Sequence, residues 1–208
     1  MRETVILVPG LALGGVELAV LGWRLRRQGF DTRTFWTNPW RGNLAAKAVG
    51  LRHMLTSHGI DAPSFVGHSF GGRIVMEFLN DYPEARAGRV VTLGTPLTGC
   101  SAAQRVLTLP GGRWILGEAV TTAASRPFPS IPTGRAVGSI AGRANLLLGL
   151  WLCPRQPSDT VIGVEETWHP ELAAHCVLWV SHISILVSAR TASQVVEFLR
   201  TGRFSADS

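Results

Sequence analysis

Residues 64–72 read SFVGHSFGG, and this segment is the most informative about the fold. A short apolar strand over 64–66 runs into Ser69, which has a glycine two residues away on each side, and a helical pattern follows. That helix is predicted from apolar residues one turn apart, Ile74, Val75, Phe78 and Leu79, and it ends near Pro83. A sharp strand-to-helix turn strains its central residue and needs small neighbours. Ser69 is therefore predicted to project at the carboxyl edge of a sheet.

Strands alternate with helices on both sides of this unit. Further strands are predicted at Val5–Val8, Thr32–Trp36, Arg89–Leu93, 136–141 and Cys176–Val180, and further helices at 15–28, 43–57 and 191–199. The apolar spacing of the first two of these helices is carried by Val16, Ala19, Val20 and Trp23, and by Leu44, Ala48, Leu51 and Leu55. The alternation predicts an α/β fold: one domain over 1–208, with a mainly parallel sheet of about six strands covered by helices on both faces.

The segment 97–134 interrupts this alternation. It contains one predicted helix from Trp114 to Thr122 and then three prolines. Two interpretations stay open. The segment is either a small lid over a site or an enlarged connecting segment without a gating role.

Composition narrows the class of protein. The 208 residues are 46% hydrophobic and 16% charged, which is enough apolar material for a core and argues against disorder. The three cysteines are too scattered for a disulfide framework, and no spacing typical of a metal site is present. Twenty basic and 14 acidic residues leave a charge of +6, but the basic residues are spread along the chain. We therefore predict no nucleic-acid partner, no metal and no cofactor.

Two apolar runs could be mistaken for targeting or membrane segments. The run over 5–16 follows Arg2 as in a secretion signal, but Pro9 and three glycines break it, so we interpret it as a buried strand and a loop. The run from Leu146 to Cys153 has only eight residues, whereas a spanning helix needs about 20. We expect a soluble, cytoplasmic protein with reduced thiols.

Ser69 on such a turn is a candidate nucleophile, which needs donors for the oxyanion and a base for its proton. The backbone N–H of Phe70, directly after the serine, is one candidate donor. The backbone N–H of Leu11, in the loop after the first strand, is the other, because Gly10 lets that loop approach a substrate closely.

His182 is the preferred base among the six histidines. It follows the last predicted strand and comes after the serine, as the chain order of such sites requires. His53 and His58 precede the serine, His169 and His175 satisfy only the order, and His68 is expected to pack beside its strand.

Asp159 is the preferred carboxylate to orient that histidine, because it is the only aspartate between residues 94 and 182. Glu165 and Glu166 are its rivals, and we interpret both as the exposed start of a helical turn. Glu118 and Glu171 are interpreted as solvated positions.

Five segments in order carry a family resemblance: VILVPGL, VGHSFGG, VTLGTPLTG, PSDTVIGVEET and VLWVSHISIL. With Ser69, Asp159 and His182 they resemble the α/β-hydrolase superfamily, most nearly the lipase and esterase branch that includes the PGAP1-like serine hydrolases. Members often carry His-Gly where this chain has Pro9-Gly10, and the chain is short for the family. The resemblance implies hydrolysis of a carboxylic ester.

The sequence therefore predicts a serine esterase or lipase acting through an acyl-enzyme on a small-molecule or lipid ester with an apolar acyl group. Two alternatives stay open: a thioesterase or acyltransferase with the same residues, and a catalytically silent protein that binds lipid or a partner. Trp36, Trp40, Trp114, Trp151 and Trp168 lie in or near predicted loops. They suggest an apolar acyl pocket, weak contact with a membrane surface, or ordinary loop packing. The oligomeric state is left open.

Overall fold

A six-stranded sheet organises the chain. The computed structural model describes residues 2–11, 14–38, 41–124, 130–145, 151–153 and 157–206. The strands are β1 (Thr4–Val8), β2 (Asp31–Thr34), β3 (Ser64–His68), β4 (Val90–Leu93), β5 (Val137–Gly142) and β6 (Ala174–Leu178). They lie in the order β2-β1-β3-β4-β5-β6, and every pairing between these strands is parallel. The predicted α/β fold class is confirmed.

Helices cover both faces of this sheet. They are α1 (Ala19–Arg27), α2 (Leu44–Ser57), α3 (Phe70–Asp81), α4 (Ser101–Leu107), α5 (Gly112–Ala124), α6 (Ser184–Val187) and α7 (Ala189–Thr201), with 3-10 turns at Val16–Leu18 and Glu165–Thr167. One core contains residues of α2, α3 and α5, and the other contains residues of α1, α6 and α7. Strand β1 contributes Ile6 and Val8 to the first core and Val5 and Leu7 to the second, which explains its unbroken apolar sequence.

Helix α2 agrees with its predicted pattern. The Asn43 side chain caps it by accepting a hydrogen bond from the Ala46 N–H at 2.9 Å. The four residues of its predicted apolar face, Leu44, Ala48, Leu51 and Leu55, are all buried.

Helix α1 buries a different face from the predicted one. Val16, Val20 and Trp23 are exposed, while Leu18, Leu21 and Leu25 are buried in the second core. Both sets have helical spacing, so periodicity alone did not distinguish them. Packing against the sheet determines which set is buried, because the sheet face of the second core contacts the leucine side of the helix. The opposite side of the helix leaves Val16, Val20 and Trp23 in contact with water.

The described part of the segment 97–134, residues 97–124 and 130–134, contains a pair of helices between β4 and β5. Helix α4 was not predicted, and α5 is longer than the predicted helix. Gly117, with φ 73° and ψ 170°, interrupts α5. Ala103, Ala119 and Ala123 pack this segment into the first core. No helix within the described ranges is long and apolar enough to cross a membrane. Trp40, the stretch 146–150 and the prolines at 127 and 129 lie outside the described residues.

Candidate active site

The turn between β3 and α3 holds Ser69 in a strained backbone conformation, with φ 51° and ψ −123°. Its N–H donates to the Leu93 carbonyl at 2.8 Å, which ties the turn to the end of β4. A Cβ atom on Gly71 would overlap the backbone of Val8, and one on Gly67 would lie 2.5 Å from the Cα atom of Gly72. Only glycine fits at both positions, so the turn depends on the two glycines that the sequence pattern singled out.

The end of β4 braces this turn from the other side. The Thr95 hydroxyl donates to the Ser69 carbonyl at 2.9 Å. Gly94 has φ 52°, and a Cβ atom there would lie 2.7 Å from Asp159 Oδ2 and 3.2 Å from His182 Nδ1. The glycine therefore leaves the space in which those two side chains meet.

The structure brings Ser69, His182 and Asp159 together from three separate loops. His182 Nε2 lies 3.0 Å from Ser69 Oγ, and His182 Nδ1 lies 2.7 Å from Asp159 Oδ2. His182 is 8% exposed and Asp159 is 1% exposed. A carboxylate only accepts, so Nδ1 carries the proton toward Asp159. Nε2 is then free to accept the proton of the serine hydroxyl.

Asp159 is held by the backbone as well as by the histidine. Its Oδ1 accepts from the N–H groups of Val161 at 3.0 Å and Ile162 at 2.7 Å, while its carbonyl accepts from the His182 N–H at 2.7 Å. Thr160 turns the chain with φ 98°, a conformation that a β-branched residue rarely adopts. Both carboxylate oxygens are engaged, so the orientation of the carboxylate is fixed.

The loop after β1 lies against the serine turn. A Cβ atom on Gly10 would lie 3.1 Å from Ser69 Cβ. Leu11 is partly buried on the first core, and Phe70 is the first residue of α3. A helix leaves its first N–H groups without intrahelical acceptors, so the Phe70 N–H suits an oxyanion donor. The roles of the Leu11 and Phe70 N–H groups stay predictions.

Comparisons with solved structures give this architecture a name. The chain resembles the mature form of the Bacillus licheniformis lipase BlEst2 with a TM-score of 0.74 and 17% identity, over 97% of this chain and 92% of that one. It resembles the metagenomic carboxyl esterase MGS0156 with a TM-score of 0.69 and 18% identity, over 96% and 74%. A third match is MGS-MChE2, an α/β hydrolase enzyme from lagoon sediments in Morocco, with a TM-score of 0.63 and 13% identity, over 95% and 90%. The chain has the α/β-hydrolase fold. No family model and no curated protein matches the sequence.

Within this α/β-hydrolase fold, His68 contacts the loop that carries His182. Its Nε2 lies 3.0 Å from the His182 carbonyl, and the two rings are 4.8 Å apart. A carbonyl only accepts, so Nε2 carries the proton, and Nδ1 has no hydrogen-bond partner in the part of the chain that the structure describes. Burial, helped by the nearby His182, lowers the pKa of His68 to about 3. The sequence suggested only packing beside a strand and missed this contact.

The buried His68 makes stability depend on pH. On unfolding its pKa rises from about 3 to the ordinary 6.5, so between these values the unfolded chain binds more protons than the folded one. The contribution of His68 to the free energy of unfolding should therefore fall by about 2 kcal/mol between pH 7 and pH 5. Urea unfolding at the two pH values should show that this part of the dependence disappears in His68→Gln. It should persist in His53→Gln, whose side chain is exposed. Equal pH dependence in His68→Gln and the wild type would refute the assignment.

Glu166 differs from its predicted role as an exposed residue. It is buried, its Oε1 accepts from the N–H and hydroxyl of Ser101, and its Oε2 accepts from the Gly163 N–H at 2.9 Å. Its carbonyl also accepts from the Leu97 N–H at 2.7 Å. The turn at 165–167 packs beneath the start of the 97–134 segment, so the carboxylate ties α4 to the loop that follows Asp159. The sequence contained no local signal for this long-range contact.

Among the described residues, Ser69 forms no hydrogen bond with the remaining carboxylate and histidine candidates from the sequence. Glu165, Glu118 and Glu171 are exposed, as predicted. Of the other four histidines, His53 lies on α2 and His58 directly follows it. His169 lies 3.7 Å from Glu171, and His175 lies 2.9 Å from the Thr167 hydroxyl.

Burial raises the pKa of Cys100 to about 11 and that of Cys153 to about 12, so both thiols stay protonated at neutral pH. Among the described residues, no group of three or more His, Cys, Asp or Glu side chains could hold a metal ion.

Proposed function

We propose that this protein is a serine hydrolase that cleaves carboxylic esters through an acyl-enzyme. The observation that carries the proposal is the hydrogen-bonded series from Ser69 Oγ through His182 to Asp159, at 3.0 Å and 2.7 Å. This series is what a weak serine nucleophile needs, because the imidazole can remove its proton and the carboxylate stabilises the resulting cation. The likeness of the fold to a lipase and a carboxyl esterase supports the proposal.

The reaction proceeds in two halves. Ser69 Oγ attacks the ester carbonyl while His182 Nε2 takes the hydroxyl proton, and the N–H groups of Leu11 and Phe70 stabilise the oxyanion. When the intermediate collapses, the C–O bond to the alcohol breaks and His182 returns its proton to the leaving oxygen. Water then attacks the acyl-enzyme with His182 again as the base. The carboxylic acid leaves, and the proton returns to Ser69.

The environment of His182 suits this proton transfer. The imidazolium of His182 forms beside the Asp159 carboxylate. The centroid of its ring lies 4.8 Å from that of the His68 ring. Because the pKa of His68 is lowered to about 3, that neighbour carries no charge at neutral pH and does not repel the cation. The hydrogen bond from His68 to the His182 carbonyl also holds the loop that presents the base.

Apolar side chains near the turn support an apolar acyl group as substrate. Phe70 and Leu97 are buried in the first core, and Leu11 and Leu116 pack against it. Leu11 belongs to the proposed oxyanion loop, and Leu116 belongs to α5. Because the glycine that precedes Leu11 lies against Ser69, an acyl chain attached to the serine would meet hydrocarbon of this loop.

The segment 97–134 is proposed as a small lid. Glu166 holds its start at Ser101, so movement would be concentrated at the far end of the helix pair. Trp114 and Ile115 are exposed there, beside an open cavity of about 680 Å³ that Gly117 also lines. Gly117 breaks the helix at this point and would serve as a hinge.

A panel of p-nitrophenyl esters from acetate to laurate, with thioesters of the same acyl groups, tests the proposed reaction. We expect turnover of the oxygen esters and a higher kcat/KM for medium acyl chains than for acetate, because the acyl group leaves water for the apolar side chains. A fluorophosphonate probe should label the wild type at Ser69. Faster turnover of the thioesters would identify a thioesterase instead, and the absence of labelling and turnover would identify a silent binding protein.

A further inference from the structure

Helix α1 presents an apolar surface to solvent that the proposed hydrolase activity does not use. Val16, Val20 and Trp23 follow one another at helical spacing and are 60%, 39% and 48% exposed. Val187 at the end of α6 is 47% exposed and adjoins them, because the Arg24 guanidinium donates to its carbonyl at 3.0 Å. We call these four apolar residues the α1 face. Grouped exposure of large apolar side chains, unlike scattered exposure, marks an interaction surface.

A cleft of about 400 Å³ lies along the α1 face, between α1 and α7. Trp23, Arg24 and Arg27 line one side of it, and the small residues Ala189, Ala192 and Ser193 line the other. The small side chains of α7 leave the space open. The cleft therefore places two guanidinium groups next to exposed hydrocarbon.

The charged residues of helix α1 itself are all basic. Helix α1 reads AVLGWRLRR and contains no acidic residue. Within the described part of the chain, neither Arg24 nor Arg27 forms an ion pair, and the Arg27 guanidinium lies 5.1 Å from the centre of the Trp23 ring. Glu17, in the 3-10 turn before α1, is a carboxylate beside Val16, and its Oε2 accepts a hydrogen bond from the backbone N–H two residues before it. The Arg24 guanidinium donates to a neutral carbonyl, so Arg24 and Arg27 together give this surface a net positive charge that attracts an external anion.

We propose that the α1 face docks on the surface of an anionic lipid bilayer. Trp23 and Val20 would enter the headgroup region, and Arg24 and Arg27 would face the lipid phosphates. Tryptophan favours the boundary between hydrocarbon and water. A helix with apolar and basic residues but no acidic ones binds anionic membranes through both apolar burial and electrostatic attraction. Charge complementarity and the small area of the face favour this occupant over a protein partner, whose stable interfaces are larger.

The docked orientation would place the candidate active site near the lipid. Val16 follows the loop after β1, so it lies at the carboxyl edge of the sheet, as Ser69 does. Ile183, directly after His182, is 60% exposed. The proposal is independent of the hydrolase reaction, because it concerns binding alone.

Co-sedimentation with vesicles of ether-linked phosphatidylglycerol tests the docking, since these lipids contain no ester to hydrolyse. The wild type should bind them, bind ether-linked phosphatidylcholine vesicles more weakly, and dissociate as salt is added. Val20→Ser with Trp23→Ser should lower the partition coefficient at least tenfold, through loss of apolar contact. Arg27→Gln should lower it about fivefold at low salt.

Matched changes outside α1, α6 and α7 provide the control. Val49→Ser with Trp168→Ser removes side chains of the same two types that are 54% and 51% exposed, and Arg52→Gln removes one exposed charge. These variants should bind as the wild type does, provided that thermal melting shows all variants folded. Absence of vesicle binding, or equal losses from the control variants, would overturn the proposal. A wild-type dimer that the Val20→Ser, Trp23→Ser variant dissociates would also overturn it, because the face would then be an interface between two copies.

Discussion

Replacing Ser69 with alanine is expected to lower kcat toward p-nitrophenyl esters by a factor on the order of 10⁴ or more. The change removes the attacking oxygen and nothing else that the turn requires. The Ser69 hydroxyl bonds to His182 Nε2, whereas the backbone N–H and carbonyl make the contacts to Leu93 and Thr95. The measurement is initial rate under saturating substrate, together with loss of fluorophosphonate labelling.

The fold should survive this substitution. Alanine and serine have similar preferences at φ 51°, so the strain at the turn is unchanged, and the melting temperature should stay within a few degrees of the wild type. Ser101→Ala is not a suitable control, because its hydroxyl bonds to Glu166, so the exposed Ser193 is the better site for a serine-to-alanine control. A folded Ser69→Ala protein with most of its turnover would refute the role of Ser69.

Replacing Asp159 with asparagine is expected to lower kcat by about 10³ to 10⁴. The amide oxygen will face the N–H groups of Val161 and Ile162, because those donors cannot pair with an NH₂ group. The amide NH₂ then faces His182 Nδ1 and forces that nitrogen to accept. The proton moves to Nε2, and the imidazole can no longer accept the proton of Ser69.

The kinetics separate this tautomer effect from general damage. KM for a short ester should change little, because Asp159 is 1% exposed and binds His182, and the lost rate should appear in kcat. Asp61→Asn, on a side chain that is 67% exposed, should leave kcat unchanged. A loss of kcat below tenfold in a folded Asp159→Asn protein would mean that Asp159 does not set the tautomer of His182.

Local sequence was sufficient to predict those features of the protein that depend on residues close together along the chain. The turn at Ser69 was predictable because strained geometry, close backbone approach and the two flanking glycines all act within five residues. His182 and Asp159 were selected by chain order and by position in the predicted loops. The structure places His182 next to Ser69 and Asp159 next to His182. Parallel strands align their carboxyl ends at one edge, so residues far apart in sequence could be expected to meet there.

Contacts between distant segments were not predictable in the same way. Glu166 was interpreted as exposed, yet it is buried because the start of α4 folds over it. His68 was expected only to pack beside a strand, and its contact with the His182 carbonyl depends on a loop 114 residues away. The face that α1 buries was also predicted wrongly, because two sets of apolar residues on that helix have equivalent spacing.

Short-range patterns predicted the alternation of strands and helices, the glycine-dependent turn and the identities of the three side chains proposed for catalysis, because each follows from short-range backbone preference or from chain order. The packing of the folded chain was needed to show which side of each helix meets the sheet and which buried polar groups hold the site in place. Burial depends on the shape of what packs opposite, and hydrogen-bond partners of a buried group come from whichever segment the sheet brings within 3 Å or so. The packing of the folded chain therefore leaves Val20 and Trp23 in water beside two arginines. It also places the uncharged His68 ring 4.8 Å from the His182 ring.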